Sequence, residues 1–222
     1  EPRFSIVTKN DNSIMTTYDR EILLQDIAQV VKNHKISYPR TPKELLGEHL
    51  LVVNPADIHI GKLALAKETG EEYNTEIARL RVLQGVQGII DRAQGYSIER
   101  VLFCIGNDVL HVDNVFNTTT KGTPQFNSDH HIEMYKRGRK LMTMVIDELS
   151  SICPVHVVVM PGNHDEECIM YLGDALELFY EKNDNVTIDN TRPLMKGFKY
   201  GNNLIAIDHG HKMKADKAVQ IL

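Results

Sequence analysis

The sequence of 222 residues has few of the features that mark secreted, membrane-spanning or strongly basic proteins. Its three cysteines form no C-x-x-C pair and no even set, which argues against a disulfide framework or a cysteine-rich zinc site. No apolar run approaches the roughly 20 residues of a membrane helix, and no signal-peptide pattern opens the chain. A net charge of -5 argues against indiscriminate binding to nucleic acid. We therefore expect a cytoplasmic protein that does not enter a membrane.

What the sequence does contain is enough apolar material for a sizeable core, since 42% of its residues are hydrophobic. Residues 154–160 are rich in valine and predict a strand buried on both faces. The strand stops at Pro161-Gly162, and a helix is predicted next, with Ile169, Leu172, Leu176 and Phe179 at helical spacing. A buried strand followed by a helix is typical of an α/β fold.

The same alternation appears along the rest of the core. Residues 49–53 and 101–105 predict two further buried strands. Asn74 is placed to cap a helix whose apolar face holds Ile77, Leu80, Leu83, Val86 and Ile90, and residues 129–149 predict another helix. Residues 198–200 and 204–207 flank Gly201-Asn202-Asn203, which predicts a β-hairpin. The pattern as a whole predicts an α/β sandwich.

The two ends of the chain differ from this core. Residues 1–46 combine short strand-like pieces, one helix pattern and a proline-containing linker, so we assign them to an accessory segment. The core then covers residues 47–222. Because the chain begins with Glu1 and ends at Leu222 within an apparent helix start, we expect it to be a fragment.

Polar residues that can bind metals follow four of the predicted strands, and the carboxyl ends of buried strands are where α/β folds place their sites. Asp57 and His59 are two residues apart and point the same way on an extended backbone. The carboxylate of Asp108 has two oxygens, with which it can bridge two ions about 3.5–4 Å apart. Mixed oxygen and nitrogen ligands suit Mn²⁺, Fe, Zn²⁺ or Co²⁺. The full set is Asp57, His59, Asp108, His111, Asn163, His164, His209 and His211.

Taken in order, these residues resemble the motifs of the calcineurin-like metallophosphoesterases: Asp-x-His at 57–59, Gly-Asn-Asp-x-x-His at 106–111, Gly-Asn-His-Asp at 162–165 and His-Gly-His at 209–211. The resemblance covers residues 48–212 and implies two central sheets flanked by helices. It also implies two divalent ions, with Mn²⁺ as first choice.

The resemblance further implies a role for each residue. Asp57, His59 and Asp108 would bind one ion, and Asp108, Asn163 and His209 the other. His164 would be the catalytic histidine that protonates the leaving oxygen or stabilises its charge. His111 would help to position the phosphate, and His211 would either lie behind the metal ligands or face the substrate. Asp165 would orient its loop or pair with a cation.

Within this superfamily, Asp-x-x-His at 108–111 and Asp-x-His-x-Gly at 57–61 resemble the DNA-repair nuclease branch, and the loop from Asp113 to Gln125 is similar to exonuclease-like members from phages and prophages. The function that follows is a phosphodiesterase or nuclease that attacks DNA with a metal-activated hydroxide. A phosphomonoesterase or small-nucleotide phosphodiesterase is the alternative on the same site. An inactive scaffold is a third.

Two features depart from the family pattern. Asn107 is inserted between the glycine and the aspartate of the second motif, where we expect it to alter only the turn. The family's last motif, Gly-His-x-His, is absent, although its two histidines would complete both metal sites. We therefore expect either that the motif lies beyond Leu222, which leaves this core incomplete at its C-terminus, or that the metal sites are incomplete.

Overall fold

The computed structural model describes residues 49–212, in an α/β arrangement of six strands and four helices. The predicted accessory segment 1–46 and the residues after Lys212 lie outside the described residues. No described helix combines the length and the apolar character needed to cross a membrane. The strands are β1 (His49–Val53), β2 (Ile98–Gly106), β3 (Val155–Met160), β4 (Val186–Asp189), β5 (Met195–Tyr200) and β6 (Asn203–Asp208), and the helices are α1 (Ala66–Thr69), α2 (Thr75–Ala93), α3 (His131–Ser150) and α4 (Glu166–Tyr180).

The first four strands form one parallel sheet in the order β1-β2-β3-β4. The centre of this sheet pairs residues 101–106 of β2 with residues 155–160 of β3. Because all four strands run in the same direction, the loops after β1, β2 and β3 all leave the sheet at the carboxyl ends of the strands. The predicted α/β class is confirmed, and so is the position of the predicted polar residues after these strands.

The two central strands are buried on both faces, as predicted for β3. Phe103 and Val157 point into a core shared with α2, α3 and α4. Leu102 and Val158, one residue away, belong to a second cluster on the opposite face with Ile207 of β6. The alternation follows from the period of two along a strand, and it explains why residues 101–105 of β2 and 157–160 of β3 are all apolar.

A second sheet covers that opposite face. It consists of the predicted hairpin, in which β5 and β6 pair antiparallel around Gly201 and Asn202. Gly201 has φ +56°, a conformation that tight hairpin turns require and that glycine adopts at little cost. Phe198 and Ile205 pack against the second cluster. In residues 49–212, helices therefore cover one face of the parallel sheet and the hairpin covers the other.

The predicted burial of β1 and the predicted face of α2 are wrong in detail. Strand β1 is at the edge of the described sheet, and only Val53 among its five residues is fully buried.

In α2, Asn74 does cap the helix by accepting a hydrogen bond from the backbone N–H of Ile77 (3.0 Å). However, the buried stripe contains Ala78, Val82 and Val86, whereas Leu80 is exposed. The predicted face is therefore right for Val86, which is buried, and for Leu83 and Ile90, which pack against the core, and it is wrong for Leu80.

Strand β4 was not predicted. Its four residues, Val186–Asp189, pair with β3. A segment this short does not show a hydrophobic alternation that distinguishes it from the neighbouring sequence. The strand exists because the open edge of β3 supplies hydrogen-bonding partners. Its last residue, Asp189, accepts hydrogen bonds from the buried ammonium of Lys196 at its side chain (3.1 Å) and its carbonyl (2.8 Å), which ties the parallel sheet to the hairpin.

We expect His156 to make the fold sensitive to acid. Its ring lies between the sheets, 4.9 Å from the ring of Phe198, and burial lowers its pKa below the ordinary value of 6.5. Because the unfolded chain then binds more protons as the pH falls below 6.5, the free energy of unfolding decreases there, by at most about 1.4 kcal/mol per pH unit.

Replacing this histidine tests the effect. His156→Phe keeps an aromatic ring against Phe198 and removes the titrating group, so urea unfolding between pH 7 and pH 5 should show a smaller loss of stability than in the wild type. If both proteins lose stability equally over this range, other groups account for the acid sensitivity.

Candidate metal centre

The structure gathers the predicted polar residues into two adjoining clusters. One contains His59, His111 and His164, and the other contains Asp57, Asp108 and His209. In each cluster the candidate ligand atoms lie within 4.8 Å of one another. His211 joins through His209, with 2.8 Å between the two Nδ1 atoms. Side chains up to about 150 residues apart in the sequence thus meet in one place.

The loops after β1 and β2 are held together by backbone hydrogen bonds. The N–H of Asp57 donates to the carbonyl of Asn107 (2.8 Å), and the N–H of His59 donates to the carbonyl of Asp108 (2.9 Å). All four residues have a positive φ, between +48° and +65°. Residues other than glycine rarely adopt this conformation, and it costs about 1–3 kcal/mol each. The backbone is therefore strained where the candidate ligands are presented, and the extended backbone predicted for Asp57 and His59 is wrong.

Asp108 lies between the two clusters and is almost completely buried. Its Oδ1 accepts a hydrogen bond from the backbone N–H of His164 (2.8 Å), and its Oδ2 lies 3.3 Å from Nε2 of His209. Gly162 packs directly on this carboxylate, and any Cβ at that position would overlap it. The glycine of the Gly-Asn-His-Asp motif is thus needed to let Asp108 approach the loop after β3.

The three histidines of the first cluster pack ring against ring. The rings of His59 and His164 have centroids 4.6 Å apart, and the ring of His111 stacks on that of His164 at 5.3 Å. Burial lowers the pKa of His111 to about 3 and also lowers the pKa of His59. His59 and His111 are therefore neutral near pH 7, and a neutral imidazole has a nitrogen lone pair for a cation or a proton.

The second cluster contributes carboxylate oxygens. Asp57 is the most solvent-accessible member, with 73% of its side chain exposed, whereas Asp108 and His209 are largely buried. Oδ1 of Asp57 lies 3.6 Å from Nε2 of His59, which links the two clusters. The grouping differs from the sets that the family resemblance implies, because Asp57 and His59 fall into neighbouring clusters rather than one.

Asn163 is in the same loop, between Gly162 and His164, and is half-buried. Its carbonyl accepts a hydrogen bond from the backbone N–H of Thr120 (3.3 Å) in the long loop after β2. The two loops are therefore in contact at Asn163. Its predicted role as an oxygen ligand stays a prediction.

Asp165 joins two of the loops that form the centre. It is fully buried, and its two carboxylate oxygens accept hydrogen bonds from the backbone N–H groups of Leu110 (2.9 Å) and Gly162 (3.3 Å). Burial raises the pKa of Asp165 well above its ordinary value, while these two donors favour the carboxylate. Of the two roles that the sequence left open, the structure shows that Asp165 orients the loops.

Asp113 was not predicted to have a structural role. Its carboxylate accepts hydrogen bonds from the backbone N–H groups of Glu167 (3.0 Å) and Cys168 (2.8 Å), at the start of α4, and from the hydroxyl of Thr120 (2.8 Å). It therefore caps a helix that starts about 50 residues later in the chain. An aspartate this far from the helix gives no local sequence signal, so only the folded chain identifies it.

We expect Asp165→Ala to destabilise the fold and to disorganise the centre. The change leaves the buried N–H groups of Leu110 and Gly162 without an acceptor, and each such loss costs about 1–3 kcal/mol. Denaturant unfolding should therefore show a total loss of about 2–6 kcal/mol. Glu166→Ala, at the neighbouring half-buried residue that pairs with Lys212 on the surface, is the matched control and should cost less than about 1 kcal/mol. Equal losses in the two variants would contradict the role of Asp165.

The donor set fits divalent cations. Carboxylate oxygens and imidazole nitrogens are present and thiolates are not, which suits Mn²⁺, Fe, Zn²⁺ or Co²⁺. In addition, the buried Nε2 of His211 has no hydrogen-bond partner in the described part of the chain. No protein-family model, curated protein or solved structure matches the chain.

Proposed function

We propose that the chain is a dinuclear metal-dependent phosphoester hydrolase of the calcineurin-like metallophosphoesterase superfamily, and that it acts as a phosphodiesterase or nuclease on DNA in the cytoplasm. The observation that carries the proposal is that a cluster of three histidines adjoins a cluster of two aspartates and a histidine, with Asp108 of the second cluster bonded to the backbone N–H of His164 in the first. Two packed sheets with helices outside the parallel one agree with the sandwich of this superfamily.

In this proposal Asp57, His59 and Asp108 hold one ion, and Asp108, Asn163 and His209 hold the other. The contact of 3.6 Å between Asp57 and His59 and that of 3.3 Å between Asp108 and His209 support these sets. When bound, the two ions supply a water of lowered pKa as nucleophile and positive charge for the phosphate oxygens. The backbone hydrogen bonds between the loops after β1 and β2 hold the ligands in place before the ions bind.

His164 is the residue that we assign to the leaving group. Its Nδ1 lies 2.8 Å from the carbonyl oxygen of His111, and a carbonyl only accepts hydrogen bonds, so Nδ1 carries a proton. Nε2 is then the atom that takes up a proton and gives it to the departing oxygen. His111, whose ring is neutral and stacks on that of His164, positions the phosphate.

DNA is the substrate that we favour because of His111 and because a cation lies beside the centre. The backbone N–H of Lys62 donates a hydrogen bond to the carbonyl of His59 (2.9 Å), so this lysine lies in the turn that starts at a residue of the first cluster. A positive charge there attracts phosphate even though the chain as a whole is acidic. His211 extends the polar surface on the side of His209 and would contact the substrate.

The test is reconstitution with metal. The protein is stripped with a chelator, loaded with Mn²⁺, Fe²⁺, Zn²⁺ or Co²⁺ and analysed for metal content, and then given labelled DNA, bis-p-nitrophenyl phosphate and p-nitrophenyl phosphate. We expect about two ions per chain and hydrolysis of DNA and the diester. Faster turnover of the monoester than of either diester would favour the phosphomonoesterase. Absence of both metal and hydrolysis would favour the scaffold.

A further inference from the structure

Three large apolar side chains are exposed on the long loop between β2 and α3. Val115 is 72% exposed, Phe116 82% and Phe126 86%, although apolar residues of this size are usually buried. The loop that follows His111, one of the candidate metal-centre residues, thus carries an exposed apolar surface. We name Phe116 and Phe126 the aromatic pair.

The backbone under the aromatic pair is well defined. Thr118 and Pro124 form an antiparallel bridge, and the N–H of Gln125 donates to the carbonyl of Asn117 (2.9 Å). Phe116 directly precedes Asn117 and Phe126 directly follows Gln125. The two phenylalanines therefore lie at the same end of this short ladder. The N–H of Phe116 also bonds to Oδ1 of Asn114 (3.0 Å). The two rings are therefore presented by fixed backbone, which lowers the entropy lost when a ligand binds.

Hydrogen bonds connect this surface to the metal centre on two sides. The carbonyl of Phe126 accepts a hydrogen bond from the N–H of Leu63 (3.1 Å), next to Lys62, and Lys62 follows the strained turn of His59. On the other side, the N–H of Thr120 donates to the carbonyl of Asn163. Lys121, beside Thr120, is exposed. Lys121, Phe116 and Phe126 are therefore on the loop after β2, and Lys62 is on the loop after β1 that is bonded to it.

We propose that the aromatic pair stacks on the bases of a single-stranded DNA segment whose phosphates pass Lys62 and Lys121 on the way to the metal centre. The inference rests on the proposed function and specifies its substrate as unpaired DNA. Aromatic side chains that alternate with basic residues are the recurring way in which proteins hold single strands, because every base has a face that can stack. Lys62 and Lys121 give the surface the charge that a DNA backbone requires.

The test compares four variants. Phe116→Ala, Phe126→Ala and the double variant remove the rings, and the matched control Leu178→Ala removes a side chain of similar exposure, 75%, from α4. A fluorescent single-stranded oligonucleotide is titrated onto the chelated protein so that no cleavage occurs. We expect each ring to contribute about 5- to 100-fold in affinity, as stacking on one base does elsewhere, and we expect no change in the control.

Two further measurements separate stacking from loss of fold. Phe116→Trp together with Phe126→Trp should restore the affinity, because indole stacks at least as well as phenyl. An oligonucleotide with abasic sites should bind the wild type about as weakly as the intact oligonucleotide binds the double alanine variant. Unchanged affinity in the double variant, or equal binding of abasic and intact DNA, would overturn the inference.

Failure of the stacking inference can be distinguished from failure of the proposed hydrolase function. At saturating bis-p-nitrophenyl phosphate, where stacking of its rings no longer limits binding, the Mn²⁺-loaded double variant should hydrolyse this ester at the wild-type rate, while it cleaves single-stranded DNA more slowly at limiting concentration. If the wild type hydrolyses neither substrate, the proposed function fails. If hydrolysis is intact and the alanine changes only dissociate an oligomer, as sedimentation would show, the surface is an interface between copies of the chain and the inference fails.

Discussion

Asp108→Asn should abolish metal binding and hydrolysis without unfolding the chain. The asparagine keeps an oxygen for the backbone N–H of His164 and places an amide near Nε2 of His209, so the buried contacts of Asp108 survive. What is lost is the charge between the two clusters, and with it the oxygen donor that both ions share in the proposed centre. We expect metal content to fall from about two ions to fewer than one per chain.

The loss of activity should exceed that of most single changes. One preorganised group that stabilises developing charge contributes about 10²–10³ in rate, and the loss of a ligand shared by two ions should exceed about 10³. Elemental analysis after dialysis and hydrolysis of bis-p-nitrophenyl phosphate measure the two effects. If Asp108→Asn retains two ions, Asp108 does not bridge them.

Asp113→Asn is the matched control for this experiment. Asp113 is also a buried aspartate in the loop after β2, but its carboxylate binds the backbone at the start of α4. Weakening this cap should cost about 1–3 kcal/mol in the free energy of unfolding, while the folded protein keeps its metal. The two variants should thus have opposite profiles, one losing metal and the other losing stability.

His164→Ala should retain metal and lose about 10²–10⁴ in rate, the usual contribution of a general acid. His164 donates a hydrogen bond to Asp108 from its backbone N–H, which alanine keeps, so the loop stays attached to the carboxylate. The ring nitrogen that remains available is Nε2, because Nδ1 is engaged by the carbonyl of His111.

The dependence on the leaving group identifies the step in which His164 acts. A nitrophenolate departs with little help from an acid, whereas a deoxyribose oxygen needs a proton, so the loss in His164→Ala should be smaller for bis-p-nitrophenyl phosphate than for DNA. His131→Ala, at a half-buried histidine whose Nε2 lies 3.2 Å from Sγ of Cys168, is the matched control and should leave both rates unchanged.

The structure also offers a different role for His164, since its ring shares a cluster with His59 and His111. If His164 is a ligand, the alanine variant loses metal and both substrates slow by the same factor. Metal content and the ratio of the two rates together therefore decide between an acid and a ligand, and either result leaves the test of Asp108 intact.

Much of the scaffold was predictable because it depends on local patterns. The valine run of β3, the Asn74 cap and the hairpin turn at Gly201 all follow from propensities that act within a few residues. The order of strands and helices then implied a parallel sheet, and in a parallel sheet the residues that follow the strands meet at the strands' carboxyl ends. Burial of β1, the docking face of α2 and strand β4 were not predictable, because each depends on which neighbour is present.

The sequence by itself determined the identity of the polar residues and their attachment to successive strand ends, because strand and motif are contiguous in the chain. Only the tertiary structure decided how those residues group: Asp57 lies with Asp108 and His209, while His59 lies with His111 and His164. It also decided that Asp165 and Asp113 hold loops rather than ions. The physical reason is that a carboxylate's role is set by the donors that folding brings to it, and here the backbone donors reach these two aspartates from other parts of the chain.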